Sequence, residues 1–330
     1  MSRLVTLTTL QWADLDLETT CKLAKEMGYD GLEIGCVGTH FDVKRAATEP
    51  EYVEWVKGLL EKYGLQCKAL AAHLIGQCVA DDPNDPRLAN FVPAEIKENP
   101  EAIRAWGSEY MKYTAIAAKN LGAYVVTGFT GSPIWKYLYS FPQNTEELIE
   151  KGFQEVRELW LPILDVFRDN GIKFGLEVHP SEIAFDYYTC KRVLKLFEDR
   201  PEFGLNFDPS HLLWQGINPA LFLEDFIDRV YHVHMKDSVV TLDGRTGILG
   251  SFIEFGDNKR GWNFRSLGHG AVNFEEIIRI LNKYNYQGPL SVEWEDSGMD
   301  RIYGATEAAA FVRKVDFAPS NVAFDAAMAN

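Results

Sequence analysis

Four short segments in the second half of the chain hold side chains able to do chemistry. Glu177 and His179 alternate with Phe174, Leu176 and Val178, and Asn206 and Asp208 with Phe203, Leu205 and Phe207. His232, His234 and Lys236 alternate with Tyr231, Val233 and Met235, and Ser291, Glu293 and Glu295 with Val292 and Trp294. Residues two apart on an extended chain share a face, so each segment has one apolar and one polar face. Taken singly, such a pattern describes an antiparallel sheet wetted on one side. If the apolar faces instead pack on helices, the polar faces meet in an interior where an unpaired carboxylate is costly. A cation must then stand among Glu177, Asp208 and Glu293. A divalent metal with His234 as neutral nitrogen ligand satisfies all four, whereas the competing reading is a buried network neutralised by Lys236. Three carboxylates and one imidazole suit a hard or borderline ion rather than a Cys-rich zinc site: Mn²⁺ is expected, with Mg²⁺, Co²⁺ and Zn²⁺ as alternatives.

The elements that would position these groups recur along the whole chain. Extended runs at Leu4–Thr8, Gly31–Ile34, Gln66–His73, Tyr124–Phe129, Lys173–Val178, Phe203–Asp208, Val230–Met235 and Leu290–Trp294 alternate with amphipathic stretches. The latter include Thr19–Met27, Val53–Tyr63, Ala102–Leu121, Thr145–Asn170, Tyr188–Phe197, Pro219–Ile227 and Phe274–Tyr284. The joints MGYDGLEI, YGLQCKAL, LGAYVV and NGIKFGLE put a glycine just past a helix and before a buried strand. Eight such units without a central linker predict a single α/β domain, a (β/α)8 TIM barrel over 1–315, with a C-terminal extension at 316–330. A doubly wound dinucleotide fold is disfavoured, since the first strand is followed by TTLQWADLD and not by GxGxxG. Long segments leave the strands at Leu74–Glu95, Thr130–Asn144 and Asp237–Gly268, on the face where barrels build their sites.

Composition narrows the partners. The 330 residues are 46% hydrophobic, and 33 Lys and Arg against 48 Asp and Glu give a net charge of −15, which repels polyphosphates and anionic lipid. Neither nucleic acid nor a membrane is expected. The N-terminus has no signal-like apolar run, and five scattered cysteines offer no CxxC pair, so a cytoplasmic protein with reduced thiols is expected. A homo-oligomer is expected too, with an accessory subunit as a further candidate to complete the pocket, and the C-terminal segment is expected to cover the barrel or a neighbouring subunit.

The segments GLEVHPSEIAFD, GLNFDPSHLLWQGINP, YHVHMKDS and LSVEWED resemble the xylose-isomerase-like superfamily of sugar isomerases and epimerases. Its other branches include ketose 3-epimerases, inosose dehydratases and endonuclease IV. The resemblance spans nearly the whole chain; DPSHLLWQG followed by HVHMKD is its most specific part. It implies that the family's metal ligands are Glu177, Asp208, His234 and Glu293, and that His211 touches substrate or metal. It also implies an enediolate mechanism with Glu177 and Glu293 as the acid and base pair. One position departs: where ketose 3-epimerases carry a second acidic residue, this chain has Ile183, with Glu182 one short, and it offers His179 of EVHP instead.

The expectation is therefore a divalent-metal-dependent isomerase or epimerase acting on an unphosphorylated keto-sugar or cyclitol. A metal-dependent lyase or dehydratase on 3-keto-glycosides or inosose, with His179 as base, is the alternative, and a non-catalytic sugar-binding barrel is another. Endonuclease IV chemistry requires a richer ligand set and a basic face, which the charge opposes. Substrate contacts are expected from His211, His73, Glu33, Lys236, His269, Trp12 and Trp214, with Phe129 and Trp135 as further stacking candidates. Several of these have an ordinary structural reading as well. His73 can be a packed core histidine and Glu33 can hold a basic partner. His40 and Asp42 are equally loop structure or substrate contacts, His232 fits a supporting role, and Arg245, Arg260 and Arg265 read as solvated loop charges.

Overall fold

The computed structural model describes residues 2–322 and 326–328. Its strands are β1 (Val5–Thr8), β2 (Gly31–Gly35), β3 (Gln66–Ala71), β4 (Val125–Gly128), β5 (Lys173–Glu177), β6 (Phe203–Phe207), β7 (Val230–Met235), β8 (Asp237–Val240), β9 (Trp262–Arg265) and β10 (Leu290–Val292). Eight of them close into an all-parallel barrel in the order β1-β10-β7-β6-β5-β4-β3-β2, while β8 and β9 form a separate antiparallel ribbon. Helices α1 (Leu17–Glu26), α2 (Val43–Thr48), α3 (Pro50–Tyr63), α4 (His73–Ala80), α5 (Pro100–Leu121) and α6 (Glu146–Asn170) accompany the first half. The second half has α7 (Tyr187–Leu196), α8 (Pro209–Trp214), α9 (Pro219–Phe226), α10 (Phe274–Lys283) and α11 (Arg301–Val315).

The sequence pattern accounts for this arrangement. Thr145 accepts from Leu148 N to cap α6, and Gly171, at φ 70°, ends that helix in the left-handed region just before β5. The apolar parity of β5 and β6 packs outward, where Phe174 meets Trp160 and Phe167 of α6 and Phe203 of β6. The opposite parity fills the barrel lumen with Thr8, Glu33, Thr127, Asn206, His232 and Ser291, all buried. The expected closed barrel is thus the observed one.

Three boundaries differ. His73 is the first residue of α4 and not the last of β3, and α4 occupies what reads as the start of a loop. The run ALAAHLIGQCVA is apolar across the junction, with no Gly or Pro at the break, so periodicity alone does not separate strand from helix. Asp208 lies just beyond β6 and caps α8, whose Pro209 fits the first helical turn. The Asp237–Gly268 segment is an arm rooted in the β8–β9 ribbon; pairing partners so far apart in sequence leave no hairpin signature. At the other end of the chain, Arg3 N donates to Asp316 at 2.8 Å and the two side chains form an ion pair, while Phe317 O accepts from Asn282 at 2.8 Å. The expected extension at 316–330 lies partly outside the described residues, at 323–325 and 329–330. Among the described residues no helix is long and apolar enough to cross a membrane.

Candidate metal centre

The barrel delivers one ligating group from the end of each of four strands. Glu177 ends β5, Asp208 follows β6, His234 lies in β7 and Glu293 follows β10. Pairing sets Glu177 beside Asn206 across β5–β6, and Ser291 beside His234 across β10–β7. The four groups each offer one ligand atom, and these atoms all lie within 4.8 Å of one another. His234 Nδ1 is 3.2 Å from Glu177 Oε2 and 3.0 Å from Glu293 Oε2. Asp208 uses Oδ1 to accept from the backbone and hydroxyl of Ser210, both at 2.7 Å, and its buried Oδ2 has no hydrogen-bond partner. Glu293 Oε2 is likewise buried without an aligned hydrogen bond, although Lys236 Nζ stands 3.2 Å away. Three converging carboxylates, two of them with an orphaned oxygen, and one imidazole nitrogen fit a hard or borderline divalent ion.

A second layer fixes the orientation of the imidazole. Nε2 of His234 faces Glu33 Oε2 at 3.0 Å, and Nε2 of His232 meets the same oxygen at 3.0 Å. Glu33 also accepts from Thr8 at 2.9 Å, from Ser291 at 2.6 Å and from Thr127. Against burial, Glu33, Glu293 and Glu177 hold the His234 imidazole well above its ordinary value, so these carboxylates favour a proton on Nδ1, and a divalent ion held there would take that proton's place while Nε2–H stays directed at Glu33. Burial alone would push the Glu33 carboxyl up, but the two imidazoles outweigh it and hold Glu33 well below the usual carboxylate range. Glu33, His232 and His234 also form a compact carboxylate and imidazole group, but the hydroxyls already satisfy Glu33.

Around the centre the charges are unevenly settled. Burial opposes ionisation of Glu177, yet His211, His234 and His73 together keep it well below its ordinary value. His73 Nε2 lies 3.0 Å from Glu177 Oε2, and His211 Nε2 lies 3.3 Å from Oε1 and 3.5 Å from Asp208 Oδ2. Burial raises Asp208 to about 6 despite His211 and Lys236. The Lys236 ammonium sits between Glu293 and Glu295, at 3.2 and 3.0 Å, and these carboxylates hold it well above its usual value against burial. Burial and the neighbouring His211 drive His179 well below the ordinary histidine value, so it is neutral, with its ring 4.1 Å from that of His211.

A cavity of about 1070 Å³ opens above the cluster, and Glu177, His73, His179, His211, Lys236 and Glu293 line its floor. Trp214, Phe129 and Trp135 are in its walls. Three expected substrate contacts lie elsewhere. Trp12 is fully buried, with the Arg301 guanidinium 4.5 Å from its ring, because the turn after β1 folds the indole into the core. Glu33 sits deeper in the lumen, with its oxygens committed to histidines and hydroxyls. His269 is exposed and 2.9 Å from Glu307 of α11, on the outside of the barrel. His40 is a core residue bonded to Thr9 at 2.9 Å, while Asp42 caps α2. Arg260, read as a solvated charge, lines the cavity, whereas Arg245 is exposed. Gln11 was missed: its amide donates to Glu293 at 2.9 Å and Glu295 at 3.2 Å, and a lone glutamine in a turn carries no sequence signal.

Known proteins share this architecture. Over 288 residues the chain is 34% identical to an inosose dehydratase of Clostridium botulinum (strain Eklund 17B / Type B), covering 86% of this chain and 84% of that protein. An uncharacterized Bacillus subtilis protein, YfiH, is 28% identical over 174 residues, so that match spans 51% of this chain and only about half, 55%, of its relative. The crystal structure of the 3-keto-D-glucoside 4-epimerase YcjR of E. coli superposes with a TM-score of 0.65 at 16% identity, over 94% of this chain and 99% of that one, a likeness of fold. The family described as xylose isomerase-like TIM barrel matches residues 21–315, and the chain belongs to that family.

Proposed function

We propose that the protein is a divalent-metal-dependent enzyme that removes the proton beside the carbonyl of an unphosphorylated keto-sugar or keto-cyclitol, reprotonating the enediolate as an isomerase or epimerase. The observation that carries this reading is the convergence of Glu177, Asp208, His234 and Glu293 under an open cavity. A bound divalent ion, Mn²⁺ being the expected one, supplies a Lewis acid for vicinal oxygens. The chain does the rest. Glu177 and Glu293 approach the cluster from different strands, so one carboxylate can take a proton while the other returns it. Both are held ionised despite burial, Glu177 by His211, His234 and His73 and Glu293 by Lys236 and His234, so either can receive the proton first, and the one that returns a proton must have been protonated beforehand. Lys236 and His211 stand where hydroxyls or a developing oxyanion need donors.

The second reading is a dehydratase, favoured by the 34% identical relative named for that reaction. There neutral His179 on the cavity floor is the additional base for the proton beside the carbonyl, and the β-hydroxyl leaves with a proton as water, so that one C–H and one C–O bond break as the new double bond forms. Mn²⁺-loaded protein incubated in D₂O with keto-hexoses and inosose separates the two. Deuterium entering beside the carbonyl with no new chromophore supports epimerisation, an enone absorbance supports elimination, and neither across the panel overturns both. Replacing the proposed base, Glu177→Gln, is expected to lower exchange by roughly 10²–10⁴-fold.

A further inference from the structure

The cavity is far larger than a monosaccharide and changes character with height. At the generous allowance of about 30 Å³ per heavy atom that liquid water takes, a twelve-atom sugar fills roughly a third of the 1070 Å³. The floor holds the carboxylates, imidazoles and ammonium described above, enough to satisfy one sugar ring. Beside them Phe264 adjoins the floor, with Lys236 Nζ 4.3 Å over its ring and the His211 ring at 5.4 Å, and it leads into the wall, where it meets Trp262 edge-on at 5.3 Å and Trp262 stacks face to face on Trp214, ring centroids 4.4 Å apart and planes within 5°. Trp135 and Phe185, themselves edge to face at 5.3 Å, also line the cavity. The rim adds Leu249 and Phe252, both strongly exposed, and the Arg260 guanidinium braces the wall from 3.8 Å over Phe255. A second sugar ring there would lose water from its hydroxyls and find few partners. A planar apolar group would instead gain burial and ring contacts.

We infer that the upper cavity is a subsite for an aromatic aglycone, so that the substrate is an aryl keto-glycoside whose sugar reaches the metal centre while its aglycone lies among Trp214, Trp262 and Phe264. This rests on the reading of the floor as a keto-sugar site. The continuity of floor and wall in one cavity makes a single ligand span both.

Calorimetric titration of the Mn²⁺-loaded full chain with 4-nitrophenyl 3-keto-β-D-glucoside, the methyl analogue and 4-nitrophenol tests the subsite without requiring turnover. The aryl glycoside is expected to bind at least tenfold more tightly than the methyl glycoside. Trp262→Ala should reduce that ratio below threefold, and Phe255→Ala, at an exposed rim position, should reduce it in part without a risk to the core. Equal binding of the two glycosides in the unaltered protein would overturn the subsite, as would 4-nitrophenol binding as tightly as its glycoside. An aryl preference without any deuterium exchange would leave the subsite standing and sink the enediolate reading. Exchange on the methyl glycoside with no aryl preference would do the reverse.

Discussion

At the scale of single residues, the consequential group beyond the four converging ligand atoms is Glu33. It accepts from His234 and from His232, and it is enclosed by Thr8 and Ser291. The substitution Glu33→Gln keeps the shape and removes the charge that orients His234. Partners of this kind set metal affinity, so Mn²⁺ binding measured by competition with a chelator is expected to weaken about 10–100-fold. Unchanged affinity would show that His234 needs no such support. Alternation along β5, β6, β7 and β10 was enough to put Glu177, Asp208, His234 and Glu293 on one side. Depth was not readable in the same way. Glu33 is the middle residue of β2 whereas Glu177 ends β5, so its oxygens lie deeper in the lumen, among the hydroxyls of Thr8, Ser291 and Thr127. Trp12 misled for a related reason: an aromatic after a strand looks the same in sequence whether its turn faces the cavity or the core.

Among the elements, the loops after β4 and β5 are tied together by Glu182. Its buried carboxyl accepts from Thr130 N at 2.9 Å and Gly131 N at 2.7 Å, while Glu182 N donates to His179 O at 3.0 Å. Burial, aided by Asp81, raises Glu182 to about 8 in spite of those donors. A carboxyl raised in the folded state keeps its proton there after the unfolded chain has lost it. Its contribution is therefore complete below about pH 4.5 and is lost as the pH climbs through 8, at roughly 1.4 kcal/mol per unit across the window. Glu182→Gln, neutral at every pH, should flatten urea-unfolding stability between pH 5 and 9. An identical slope in both proteins would remove Glu182 from the account. The barrel units themselves were legible because each repeats strand, amphipathic helix and glycine stop. The short helices α4 and α8 and the β8–β9 ribbon were not: α4 continues an apolar run without a break, and the ribbon pairs segments separated by a long excursion.

For the whole molecule, the acidic excess has two components. Many acidic side chains stand on the surface, some in exposed ion pairs such as Arg279–Glu275 and Lys283–Glu224, which leave the net charge unchanged. A smaller part is stored at the closed end of the cavity, where Glu177, Asp208 and Glu293 are buried within reach of one another. A ligand that binds only the folded state stabilises it by mass action, about 4 kcal/mol at a thousandfold excess over Kd. Chelation is thus expected to lower the melting temperature by roughly 5–10 °C for a chain of this length, with Mn²⁺ restoring it. A melting curve indifferent to chelator and metal would favour the purely ionic network in which Lys236 does the neutralising.

The stacked Trp214 and Trp262 join two parts of the chain that need not move together, since Trp214 closes α8 on the barrel and Trp262 opens β9 on the arm. Indoles in face contact share and quench excitation. The pair is therefore a built-in optical ruler: emission would rise if the arm were to lift away from the barrel, and constant emission on ligand binding would show that it stays seated. Stopped-flow fluorescence of the unlabelled protein on mixing with ligand distinguishes the two.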